Sequence, residues 1–98
     1  MQEIVTTFNE KGSGAFYVKE GEERLAEMIV EVKGKVLTAF HTEVFAAESK
    51  GMGKSLLNAM VTYARQHQLK VVPLCLFVHA QFKRHPELYA DIWQKDND

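Results

Sequence analysis

Glu48-Ser49-Lys50-Gly51-Met52-Gly53-Lys54-Ser55-Leu56-Leu57 is the stretch at which this 98-residue chain changes its period. Before it, apolar residues alternate as in half-buried strands. After it, they recur three and four positions apart, as on one face of a helix. Two glycines and two lysines at the junction make a candidate phosphate cradle. Gly51 and Gly53 carry no Cβ to hold a ligand off the backbone, and the first helical turn offers N–H groups with no intrahelical acceptor. The plainer reading of the same residues is a tight turn with solvated lysines, because short Gly-x-Gly turns are common. Gly51 to Ser55 would end a Walker A loop only if a glycine stood at position 48. Glu48 stands there, an anion facing the phosphates, which sets an NTPase aside.

Upstream, Ile4–Phe8 is a short strand, and Asn9-Glu10-Lys11-Gly12 supplies the chemistry of a turn. A second strand from Gly14 to Lys19 carries Phe16, Tyr17 and Val18, and Glu20-Gly21-Glu22 turns the chain again. Arg24 to Val32 alternates well enough for a third strand. Gly34 closes another hairpin into a fourth, Val36 to Phe45. Strict alternation in that strand puts Val36, Thr38, Phe40 and Thr42 on one face, with Leu37, Ala39, His41 and Glu43 on the other. These four strands form an antiparallel meander.

Downstream, Leu56, Leu57, Met60, Val61 and Ala64 predict one helix from Gly53 to about Gln68. Leu69 to Phe77 is apolar apart from Lys70, as in a strand covered on both faces, and should return parallel to strand four. Pro73 cannot donate to a ladder, so it belongs at an edge or where the strand leaves its neighbour. Val78 to Arg84 reads as a helix that stops before Pro86. Glu87 to Trp93 reads as a last helical turn, with Tyr89 and Trp93 packing back on the body and a frayed polar tail from Gln94. The fold class expected is α/β with a mixed sheet: a four-strand meander, a helix, a parallel fifth strand and C-terminal helices.

Composition narrows the function. With 46% apolar and 26% charged residues the chain has the balance of a compact globular protein, and its length suits one domain, 1–98, as a monomer or a homodimer. A formal net charge of −1, with both signs spread along the chain, provides no field for nucleic acid or an anionic membrane. One cysteine excludes an intramolecular disulfide framework. Gln2 and Glu3 stand where a signal peptide would be basic, and no apolar run is long enough to span a bilayer. The expected setting is reducing and cytoplasmic.

Taken in order, His41-Thr42-Glu43-Val44, Gly51-Met52-Gly53, Tyr63-Ala64, Pro73-Leu74-Cys75-Leu76-Phe77-Val78 and His85-Pro86 resemble the small single-domain members of the GNAT superfamily of acyl-CoA N-acyltransferases. The resemblance covers nearly the whole chain. It implies that the ligand is acetyl-CoA or coenzyme A, with its pyrophosphate on Lys50, Gly51, Met52, Gly53, Lys54 and Ser55. It also implies that the pantetheine arm pairs beside Val44. The thioester would then lie near Cys75, where strands four and five separate. The implied reaction is acetyl transfer to an amine acceptor, by direct attack or through an acyl-cysteine. Where the superfamily usually opens its motif with arginine or glutamine, this chain has Glu48. It also lacks the helical segment that shapes the acceptor site of longer members, and Tyr89 is a poor match for their tyrosine acid.

Three side chains are candidate catalysts. Cys75 is a thiol beside the expected thioester; the alternative is a small buried hydrophobe. His41 is a candidate base, with Glu43 on its face as orienter or as a base itself; the alternative is a histidine held by a neighbouring strand. His67, His79 and His85 lack the spacing of a zinc motif, so no metal is expected. Phe77, Phe82 and Tyr89 line either the ligand pocket or the core. Lys83 and Arg84 read as a solvated helix face, or as a reach toward a ribose phosphate. Two other functions fit the same residues: a non-catalytic acyl-CoA-binding or sensing module, and an interaction protein that keeps only the fold.

Overall fold

The computed structural model describes residues 2–46 and 51–95. Its strands are β1 (Gln2–Phe8), β2 (Ser13–Glu20), β3 (Glu23–Lys33), β4 (Val36–Val44) and β5 (Lys70–Pro73), and its helices are α1 (Met52–Gln66), α2 (Leu76–Arg84) and α3 (Pro86–Tyr89). They build a five-stranded sheet in the order β1-β2-β3-β4-β5, with β1 to β4 antiparallel and β5 parallel to β4. The mixed α/β sheet and its order are those the period of the sequence implies.

The amphipathic α1 buries Met52, Leu56, Leu57, Met60, Val61 and Ala64. They meet the sheet face that carries Phe16, Val18, Ala26, Met28, Val30 and Leu37, all at most 2% exposed. Burying a side chain of leucine size contributes roughly 1.5–3 kcal/mol, so this face is what holds α1 down. Phe82, stacked on Tyr89 at 4.6 Å and edge-on to Trp93, anchors the C-terminal segment to the same core. Arg65 closes the other side. Its guanidinium donates to both Asp91 carboxylate oxygens (2.9 and 3.2 Å) and to the Leu88 carbonyl, which raises its own pKa and lowers that of Asp91.

Three expectations are corrected. The fifth strand stops at Pro73 rather than Phe77, because proline offers no further ladder hydrogen; Leu76 and Phe77 open α2 instead. The last helical turn is only Pro86–Tyr89, and Trp93 forms a parallel bridge with Val71. Gln94 is not frayed, since its N–H donates to the Val71 carbonyl.

A further correction concerns β4. Ile29 pairs with His41 and Val30 with Ala39, so Phe40 is an extra residue and the strand bulges there. Beyond the bulge the faces exchange. Thr42 and Val44 join Leu37 and Ala39 on the face turned to α1, opposite Met28 and Ala26, while His41 and Glu43 turn to the other face.

Candidate functional site

The cleft begins where β4 and β5 part. Their pairing runs from Val36↔Lys70 to Ala39↔Pro73 and ends there. The Cys75 N–H donates to the Ala39 carbonyl at 2.8 Å, after which the chain turns into α2. From Phe40 to Val44, β4 has no β5 partner, so backbone groups on that edge are left for something else. The bulge at Phe40 marks the parting on one side and Pro73 on the other.

Both helices start at this end of the sheet. Gly51 caps α1 in the left-handed conformation, φ 74° and ψ −1°, and a Cβ built on it meets nothing within 4 Å. The first α1 bond runs from the Ser55 N–H to the Gly51 carbonyl at 2.9 Å, leaving the Met52, Gly53 and Lys54 N–H groups without intrahelical acceptors. Among the described residues no side chain caps them, and no acidic residue lies in that turn. Among those residues the positive end of the helix dipole therefore has no carboxylate against it. Lys54 and Ser55 are exposed beside it, whereas Met52 is buried and offers only its backbone. Lys50 and Glu48 lie outside the described residues.

Gly53 has a different reason to be glycine. A Cβ there would sit 3.2 Å from the Phe77 ring, so the missing side chain lets the first turns of α1 and α2 meet. The turn therefore uses one glycine for backbone geometry and the other for packing.

At the parting itself Cys75 is 4% exposed, and its Sγ lies 3.1 Å from Thr42 Oγ1. Either atom can donate. His41 and Glu43 do not join it. His41 Nε2 lies 3.3 Å from Glu43 Oε1 on the sheet face away from α1, with side chains 61% and 53% exposed. Sequence reasoning grouped Cys75, His41 and Glu43, and the bulge separates them. Thr42 takes the place beside the thiol. The only hint of it was its proximity in sequence to His41; its partner lies 33 residues away.

Val44 is half-buried against the core at the open end of β4, and Phe77 is half-buried at the cleft. Phe82 and Tyr89 are core residues, and Lys83 and Arg84 stand at the far end of α2 from the cleft. Among the described residues no cluster of three or more His, Cys, Asp or Glu side chains is placed to hold a metal. No described helix is long and apolar enough to cross a membrane.

Comparison with known proteins bears on the family and the fold. The family pattern described as GCN5-related N-acetyl-transferase matches residues 15–92. The solution structure of a GCN5-like protein from Staphylococcus aureus superposes with a TM-score of 0.69 at 27% identity, covering 95% of this chain and 90% of that one. A ribosomal-protein-alanine N-acetyltransferase from Brucella melitensis biovar Abortus 2308 shares the fold, with a TM-score of 0.62 at 15% identity over 91% of this chain and 67% of that one. No curated protein matches the chain.

Proposed function

We propose that this chain, which belongs to the GCN5-related N-acetyltransferase family, binds acetyl-CoA between β4 and β5 and passes the acetyl group to an amine. The parting of the two strands carries the reading. It leaves the β5 side of Phe40–Val44 without a strand partner near the start of α1, at the carboxyl ends of parallel strands, where ligands of open α/β sheets bind. A pantetheine arm has amide groups that can complete the β4 edge near Val44. The pyrophosphate would rest on the N–H groups of Met52, Gly53 and Lys54, beside the exposed Lys54 and Ser55. The open space over Gly51 suits close approach of a ligand.

In the transfer the amine nitrogen bonds to the thioester carbonyl carbon, the C–S bond breaks, and the coenzyme A thiolate leaves and takes up the proton that the nitrogen loses. Through Cys75, its sulfur would first take the acetyl group and then yield it to the amine. Thr42 is positioned to hold that sulfur by its hydroxyl. The exposed His41–Glu43 pair, expected as base for the amine, lies on the face of β4 away from Thr42 and Cys75, so on this reading it is no base for an amine held beside them. That separation favours a second reading, an acyl-CoA-binding module without turnover.

Calorimetric titration with coenzyme A and with acetyl-CoA tests the site. The control variant is Lys54→Glu, which removes a cation and adds a carboxylate where the α1 dipole tolerates one. Saturable binding weakened at least tenfold in the variant is expected. No binding at millimolar ligand would mean that the chain keeps only the fold. Binding without transfer to any of a panel of amines would establish the second reading.

A further inference from the structure

The two edges of the sheet are built differently. At one edge β5 is four residues long and ends in Pro73, and its outer side is taken by the C-terminal segment. There the Val71 N–H donates to the Ile92 carbonyl and the Gln94 N–H to the Val71 carbonyl. Those are the devices by which proteins blunt an edge. At the other edge β1 pairs with β2 in unbroken register from Gln2 to Phe8, without bulge, proline or lysine, and with Glu3 as its one charge. Among the described residues nothing pairs with its outer side.

Beside that open edge runs a groove of about 510 Å³ between β1 and α1. Ile4, 41% exposed, and Thr6 form its strand wall, and the exposed stripe Ser55, Asn58, Thr62 and Gln66 forms its helix wall. None of the lining residues is charged, in a chain where charged residues are 26%. Depletion of charge is the compositional mark of an interface core.

We propose that the β1 edge and this groove form the contact of a homodimer, in which β1 pairs antiparallel with β1 of a second copy to continue the sheet. The strand is self-complementary. Full overlap of Gln2–Phe8 with its two-fold mate sets Val5 opposite Val5, Ile4 opposite Thr6, Glu3 opposite Thr7 and Gln2 opposite Phe8. No like charges meet. Directly opposed residues share a face, so Ile4 and Thr6 of both copies lie on the side of α1, and the uncharged stripes of the two helices face one another across the joined strands. A strand and one helix stripe make an interface below the standard size, which points to a reversible dimer. The parting of β4 and β5 lies three strands away, and Ser55 is the residue that this groove shares with the α1 turn assigned to the pyrophosphate.

Sedimentation equilibrium of the full chain, from about 1 µM to about 1 mM, brackets the affinity of such an interface. The average mass should rise with concentration from that of the 11.2 kDa chain toward twice that value. Thr6→Lys and Asn58→Glu, both at exposed positions, should each weaken association at least tenfold with wild-type circular dichroism, whereas Leu76→Lys at the cleft should leave it unchanged. A wild type monomeric throughout would overturn the proposal. So would a dimer that survives both groove variants or is lost on Leu76→Lys. Should the groove variants misfold, hydrogen exchange of the wild type decides: amides of β1 should gain protection as concentration rises, and constant protection would refute the pairing.

Discussion

Gly51 and Gly53 are two residues apart and indistinguishable in sequence logic, yet their environments predict different responses to alanine. At Gly51 the added methyl meets nothing within 4 Å, so the whole cost is conformational. A residue other than glycine held at φ 74° loses roughly 1–2 kcal/mol. Reduced freedom of the unfolded chain returns about 0.4–1 kcal/mol of that. A net loss of about 1 kcal/mol should lower the melting temperature by roughly 4–8 °C in a domain of this size. Gly51→Asn, which tolerates the left-handed region, should recover most of it. At Gly53 alanine improves helix propensity by up to about 1 kcal/mol, while its Cβ presses on the Phe77 ring from 3.2 Å. The two effects nearly cancel, and Phe77→Leu should turn Gly53→Ala into a net gain. The assay is urea and thermal unfolding of the single variants and of the 53/77 double mutant. A Gly51→Ala protein that melts with the wild type would refute the backbone argument. Additive effects at positions 53 and 77 would refute the packing one. The same geometry makes Gly53→Val a poor probe of phosphate binding, since the branched side chain collides with Phe77 whether or not a ligand binds there.

Cys75→Ala should retain coenzyme A affinity by calorimetry but yield no acetylated protein by intact mass; an acetyl adduct on the variant would place the acyl group elsewhere. Thr42→Val removes the hydroxyl beside Sγ and should cost about 1 kcal/mol in urea unfolding, the usual value of one hydrogen bond. Asp91→Asn should cost about 0.2–1 kcal/mol at neutral pH, because both partners of the Arg65 ion pair are more than a third exposed and screened. The Asp91 carboxyl is held below its ordinary 3.8, so its contribution is full above that value and fades as pH falls through the lower folded one. Unfolding curves of variant and wild type should therefore converge in acid, and a gap that persists there would refute the ion-pair origin. Phe82→Ala, at a ring with no exposed surface stacked on Tyr89, should cost about 3–5 kcal/mol, with Trp93 fluorescence reporting release of the C-terminal segment.

The element order was legible because it rests on period, and the period first changes at Gly51. What escaped the sequence lies where regularity is interrupted. An extra residue at Phe40 has no compositional signature, since Val36 to Val44 reads as unbroken alternation. Only the pairing with β3 shows that Thr42, not His41, faces Cys75. The apolar run after Pro73 is too short to declare its own period; it became legible as helix only through Val78 and Phe82, four apart and both buried. These interruptions are not independent defects. A regular β4 paired along its length with a longer β5 would leave no unpaired edge. The bulge at Phe40 interrupts β4 where Pro73 ends β5, and together they open the cleft, while the left-handed Gly51 starts α1. Sequence rules describe regular elements, so they fail where a site must be made from their ends. That coincidence is itself an argument for seeking the chemistry between Thr42 and Cys75.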